Sequence, residues 1–170
     1  FILNPTYAER HHIEPTIVAA KTRNCKAYVH RFASVAAAEM HKYGIPASIT
    51  LAQALLESDA GSSRLTQENN NHFGIKCFKR DCTKDHCSNF TDDSHKDFFR
   101  KYNNVWESYR AHSIFLQGQR YQRLKKLATT DYKAWAKGLQ QCGYATDKRY
   151  AKKLIRIIEA LNLHQYDVYG

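Results

Sequence analysis

Helical patterning runs along both flanks of this chain and fails in the middle, and that interruption constrains the fold more than any other feature. From Asn24, which reads as an N-cap, Tyr28, Phe32, Val35, Ala36, Glu39 and Met40 recur at helical spacing until Gly44 stops the run. Pro46 and Ser48 open a second helix, with Ile49, Ala52, Leu55 and Leu56 on its buried stripe. Roughly residues 66–104 then turn polar and rich in Asn, Asp, Lys and Cys, with only short apolar pieces: HFGIKCF, SNFTDD and KDFFRKY. Short strands joined by a tight turn around Ser94 and His95 suit that pattern better than helix. Helical spacing resumes at Val105, placing Trp106, Tyr109, Ser113 and Leu116 on one side, and continues through Trp135 and Leu139. It ends in the stripe Tyr150, Leu154, Ile157, Ile158 and Leu161, behind a Thr146–Asp147 capping signal. The expected fold is mainly α (α+β): a helical domain over 24–170 with a small β-hairpin lobe at about 70–104. Residues 1–23 show no sustained periodicity and read as an N-terminal arm lying on the body.

With 170 residues the chain can form one domain with a real core. No uninterrupted apolar stretch is long enough to span a membrane. The opening FILNPTYAERHHIEPT lacks the basic-then-apolar layout of a signal peptide, which leaves a cytosolic chain or one whose signal has been removed. A formal net charge of +10 suits a polyanionic partner such as nucleic acid, an anionic membrane surface or bacterial cell wall, and equally an ordinary solvated surface. A nucleic-acid binder would cluster basic residues on one helix beside stacking aromatics. Here they are interspersed with acids, so no nucleic-acid partner is expected. Cys77, Cys82 and Cys87 are spaced unlike a zinc ribbon, although His86 and His95 keep a metal conceivable. One or two disulfides, drawn from these and Cys25 and Cys142, is the simpler account and implies an oxidising compartment.

The candidate chemistry starts at Glu57, in ALLESDAGSSRL, where a helix stops. Adjacent apolar surface and the negative end of the helix dipole both disfavour its charged form. A carboxylic acid kept protonated can donate to a leaving oxygen, as glycoside hydrolysis requires. On position alone a surface glutamate at a frayed end is the simpler reading. The following ENNNHFGIK offers planar amides beside an aromatic ring, a combination that binds sugars and that also suits an Asn-rich turn. Asp92, Asp93 and Asp97 in FTDDSHKD supply a second acid near the hairpin, where acidic pairs are common for turn reasons alone. Tyr144, in CGYATDKRY, precedes a helix and either points into a cleft or joins the core.

The order ITLAQALLESDAGSSRL, NNHFGIK, ESYRAHSIFL and GYATDKRY resembles the β-N-acetylglucosaminidase domain of peptidoglycan hydrolases, glycoside hydrolase family 73, which includes flagellar muramidase-like proteins and autolysins. The resemblance runs from about Met40 to Leu161. It implies a lysozyme-like helical domain with a small β-hairpin lobe flanking a glycan cleft, and cleavage of the β-1,4 bond after N-acetylglucosamine. The family's general acid falls on Glu57, its Asn-Asn-x-Phe-Gly motif on Asn70, Asn71, Phe73 and Gly74, and its tyrosine on Tyr144; Tyr150 is a further substrate-binding candidate. The second carboxylate falls on Asp92 or Asp93, which acts as base or stabiliser, or leaves catalysis to the substrate's N-acetyl group helped by Tyr144. The expected partner is the glycan strand of peptidoglycan, without cofactor, metal or membrane. The chain is expected to be exported and monomeric. A catalytically inactive glycan-binding module of the same fold is the alternative. The cysteine cluster departs from most members and is suited to stapling the β-lobe. Lys and Arg within 76–84, 120–126 and 148–156 are candidates for holding the anionic wall.

Overall fold

The computed structural model describes residues 15–77, 87–89 and 98–168. Helix α1 runs Pro15–Tyr43, α2 Ala47–Ser58 and the short α3 Arg64–Asn69. Strands β1 (Cys87–Asn89) and β2 (Phe98–Arg100) follow, then α4 (Val105–Phe115), a 3₁₀ segment (Gln119–Lys126), α5 (Tyr132–Gln141), α6 (Tyr150–Ala160) and a last 3₁₀ turn (Leu163–Asp167). This is a mainly α-helical domain with a two-stranded lobe.

The molecule is built around α2. Residues 47–55 and Ser58 of that helix are buried, so it is enclosed on all sides, as an almost wholly apolar helix must be. It packs against α1, α6 and the closing 3₁₀ turn. Ile49, Leu51 and Leu55 meet a core that includes Tyr109, Leu139, Tyr150, Leu154, Ile157, Ile158 and Leu163. Gly44, at φ +77°, ends α1 with its N–H on the Met40 carbonyl at 2.8 Å, and Pro46 restarts the chain as α2.

The lobe is an antiparallel pair with Cys87 opposite Arg100 and Asn89 opposite Phe98. Residues 75–77 lie along the other edge of β2: the Cys77 N–H donates to the Phe98 carbonyl at 2.8 Å and the Arg100 N–H to Ile75 at 3.0 Å. A disulfide joins Cys77 and Cys87, stapling the two segments that flank β2. Cys25 is a buried free thiol and Cys142 a partly exposed one. Cys82, His86, His95 and the expected turn at Ser94 lie outside the described residues, as does the arm before Pro15.

Three expectations shift. Helix α1 starts at Pro15, so Asn24 is interior and residues 15–23 of the expected arm are helical; proline is tolerated in a first helical turn. Helix α6 starts at Tyr150 rather than behind Thr146–Asp147. Asp147 instead shapes the preceding turn, its carboxylate accepting the Arg149 N–H at 2.8 Å, while Gln140 accepts the Ala151 N–H. On α4, Tyr109, Ser113 and Leu116 are buried as expected, yet Trp106 is 57% exposed and His112 takes an inward position.

Candidate active site

Glu57 stands in the last turn of α2 because the chain behind it reverses abruptly. Asp59, Ala60 and Gly61 all adopt left-handed backbone, at φ +51°, +53° and +82°. Ser58, fully buried, braces the reversal: its hydroxyl donates to the Ala54 carbonyl at 2.6 Å and accepts the Gly61 N–H at 2.9 Å. Gly61 is needed twice over, since its φ is positive and a Cβ there would meet the Tyr28 ring at 3.2 Å. The Glu57 side chain retains solvent access, yet the protein packed round its carboxylate strips enough water to raise its pKa above the usual range. An acid so placed can hold a proton and deliver it to a group bound beside it.

Gly74 lies against that carboxylate: a Cβ built on it would sit 3.7 Å from Glu57 Oε2. Tyr144 and Tyr150 complete the surroundings. Burial chiefly holds both phenols protonated; Glu57 adds to this in each, after Tyr150 for Tyr144 and against the opposing Gln53 hydrogen bond for Tyr150. Their rings stack at 5.6 Å and 21°. Tyr144 is placed by the end of α5, where Gly143 (φ +78°) passes its N–H to Gln140 and the Tyr144 N–H reaches back to Leu139 at 3.0 Å. That is a Schellman closure, which uses glycine in the left-handed position to satisfy the last helical carbonyls.

Beneath the tyrosines runs a buried polar chain. Gln53, one turn before Glu57 on α2, donates from Nε2 to the Tyr150 hydroxyl at 2.9 Å. Its Oε1 accepts from His112 Nε2 at 2.7 Å. His112 stacks on Phe73 at 4.0 Å and 17°, and burial holds its pKa down to about 3, so the ring is neutral. Neither Gln53 nor His112 was singled out from the sequence. The available signal was one glutamine inside the otherwise apolar ITLAQALL, four residues before the acid.

The Asn-rich stretch ties the lobe to the helices. Asn71, 1% exposed, donates to the carbonyls of Ile75 (2.9 Å) and Arg100 (3.0 Å) and accepts the Ile75 N–H at 3.1 Å. Asn70, left-handed at the end of α3, donates to the Tyr102 carbonyl at 3.0 Å. Phe73 is buried, edge-on to Tyr109 and face-on to His112. The structure therefore brings Glu57, Gly74, Tyr144 and Tyr150 together, with Asn71 and Phe73 beneath them; Asp92, Asp93 and Asp97 lie outside the described residues. A separate groove of about 630 Å³ runs between α1 and α3, lined by Lys21, Tyr28, Arg31, Asp59, Asn70 and His72 among others. Glu57 does not line it. Among the described residues no three His, Cys, Asp or Glu side chains converge as metal ligands.

Comparison with known proteins gives this geometry its context. The family model for glucosaminidases, described as mannosyl-glycoprotein endo-beta-N-acetylglucosaminidase, matches residues 33–163. The chain is 39% identical over 137 residues to the exo-glucosaminidase LytG of Bacillus subtilis (strain 168), covering 74% of this chain and 48% of that protein. It is 31% identical over 147 residues to the peptidoglycan hydrolase FlgJ of Salmonella typhimurium, covering 80% and 46%. The chain thus spans about half the length of these curated relatives. Among solved structures, the catalytic domain of the autolysin Auto from Listeria monocytogenes superposes with a TM-score of 0.64 at 29% identity, over 84% of this chain and 87% of that one. A peptidoglycan hydrolase from Sphingomonas sp. A1 gives 0.69 at 28%, over 85% and 96%. With the family model spanning residues 33–163 and the lysozyme-like fold shared with these hydrolases, the chain belongs to the glucosaminidase family, glycoside hydrolase family 73.

Proposed function

We propose that this chain is a glycoside hydrolase acting on peptidoglycan, cutting the β-1,4 bond that follows N-acetylglucosamine, with Glu57 as general acid. One observation carries the reading: a carboxyl at the end of a buried helix, with its pKa raised by desolvation, between a left-handed glycine and two phenols. Glu57 gives its proton to the leaving glycosidic oxygen as the bond to the anomeric carbon breaks. Water supplies hydroxide to that carbon, and its proton passes to a base or restores Glu57. Asp92 or Asp93 serves as that base or stabiliser; in the assisted course the substrate's acetamido oxygen attacks and Tyr144 holds it. Tyr150, Asn71 and Phe73, all buried, support the site from within, and Asn70 ties the lobe to it through the Tyr102 carbonyl.

The names of the relatives support the substrate class, being those of peptidoglycan hydrolases and a glucosaminidase. The Cys77–Cys87 disulfide supports an exported site of action, since such bonds persist in oxidising compartments. The test is digestion of purified peptidoglycan by wild type and by Glu57→Gln, with borohydride reduction and mass spectrometry of the products. Reduced N-acetylglucosamine ends from wild type alone are expected, and reduced N-acetylmuramic acid ends would reassign the bond. Wall binding without new reducing ends would make the chain a glycan-binding module.

A further inference from the structure

The chain Tyr150–Gln53–His112 has a direction, and its direction bears on the reaction. A carbonyl oxygen only accepts and an amide nitrogen only donates. With Gln53 Oε1 facing His112 Nε2 at 2.7 Å, the imidazole must carry its proton on Nε2. Gln53 Nε2 then donates to the Tyr150 oxygen, so the phenolic hydrogen is turned away from Gln53 and kept for another acceptor. The reversed arrangement, with the amide flipped, would put the imidazole proton on Nδ1. That atom is fully buried and has no partner. Buried N–H groups without a partner are rarer in folded proteins than under-satisfied buried acceptors. The stacked Phe73 ring leaves the imidazole no freedom to turn elsewhere. The groups facing Tyr150 are Gln53 on α2, the stacked Tyr144, Tyr121 from the 3₁₀ segment, and Glu57.

We propose that Gln53 and His112 are positioning residues that hold the buried Tyr150 hydroxyl with its hydrogen turned toward the Glu57 and Tyr144 side, where it orients the groups that meet the glycan rather than the glycan itself. The proposal rests on the functional reading above. His112, neutral and walled off, neither gives nor takes a proton in the reaction; it fixes the glutamine, and the glutamine fixes the phenol.

Two measurements test it. Long-range ¹H–¹⁵N spectra of the wild-type chain, with the His112 signals identified by their loss in His112→Gln, should show the neutral Nε2–H form; the Nδ1–H form would overturn the proposal whether or not the protein is active. The second uses kcat/KM on a soluble N-acetylglucosamine oligosaccharide. Gln53→Leu removes the amide that orients the phenol. A loss of ten- to a hundredfold is expected, with no further loss when Tyr150→Phe is added. His112→Gln, which keeps an N–H donor, should retain more activity than His112→Leu. A folded Gln53→Leu variant as active as wild type, or losses that multiply with Tyr150→Phe, would overturn the proposal. Should the wild type cut no glycan while His112 shows the Nε2–H form, the functional reading falls and the clamp stands as a structural device.

Discussion

A general acid has to keep its proton at working pH and surrender it when the leaving oxygen builds charge. Glu57 meets the first condition through desolvation, and its place at the negative end of α2 acts in the same sense. Replacing it by Gln keeps the shape and removes the proton, so turnover should fall by on the order of a hundred- to ten-thousandfold. The same substitution has a stability signature. Because the folded-state pKa is raised, the folded protein retains a proton that the unfolded chain has already lost. That contribution is full below the ordinary glutamate pKa and disappears as pH rises through the raised value. Glu57→Gln should therefore melt like wild type at low pH and above it from the ordinary glutamate range upward. Melting curves across pH check this, and a variant less stable than wild type at neutral pH would contradict it. Gln53 and His112 could not be read in this way from sequence, because their roles depend on partners 97 and 59 residues away.

At the scale of elements, α2 is held in place by features that act at its two ends. At its C-terminal end, Ala60 sits in left-handed backbone at φ +53°, a conformation that costs a residue with a Cβ about 1–2 kcal/mol. Glycine avoids that strain but loses more freedom on folding. Ala60→Gly should thus stabilise by about 0.5–1 kcal/mol, or roughly 1–4 °C in Tm. At the N-terminal end Pro46 supplies no side-chain cap. Asp167, 119 residues on, takes the role: its carboxylate accepts the Ser48 N–H at 2.8 Å and the Ser48 hydroxyl at 2.5 Å. Both partners are buried, so Asp167→Ala leaves two donors unpaired and should cost about 2 kcal/mol, with Asp167→Asn costing less. Denaturant titration measures both, and an alanine variant as stable as wild type would remove Asp167 as the cap. The helices themselves were legible because their stripes are periodic. The cap was not, since no local pattern links Pro46 to the last turn of the domain. Helix α4 misled for a related reason: hydropathy favours burying Trp106, whereas Ser108 and His112 are the residues buried there, the Ser108 hydroxyl donating to Val105 and His112 Nε2 to Gln53.

For the whole molecule, the layout of helices around a lobe was readable from the break in periodicity, and the acid's placement from its position at a helix end. The second carboxylate was not resolvable in the sequence, where Asp92 and Asp93 are adjacent and turn chemistry accounts for either. Net charge, in contrast, is legible at once but says nothing of geometry; the structure adds where part of it lies. Arg120, Arg123, Lys125 and Lys126 are exposed on the first 3₁₀ segment, and Lys148, Arg149, Lys152, Lys153 and Arg156 are exposed on and before α6. Lys153 is paired with Asp147. Peptidoglycan bears stem-peptide carboxylates, and a +10 chain should accumulate on it. Such attraction is screened within about 8–10 Å at moderate ionic strength, whereas the proton transfer proposed for Glu57 is a contact event that salt scarcely reaches. Two substrates separate the terms. Digestion of intact wall should slow several-fold as salt rises from low to a few hundred millimolar, while cleavage of a short neutral oligosaccharide holds its rate. If both fall together, salt acts on the catalytic site or the fold; if neither falls, the basic surface is solvation alone and the wall is gripped through the cleft.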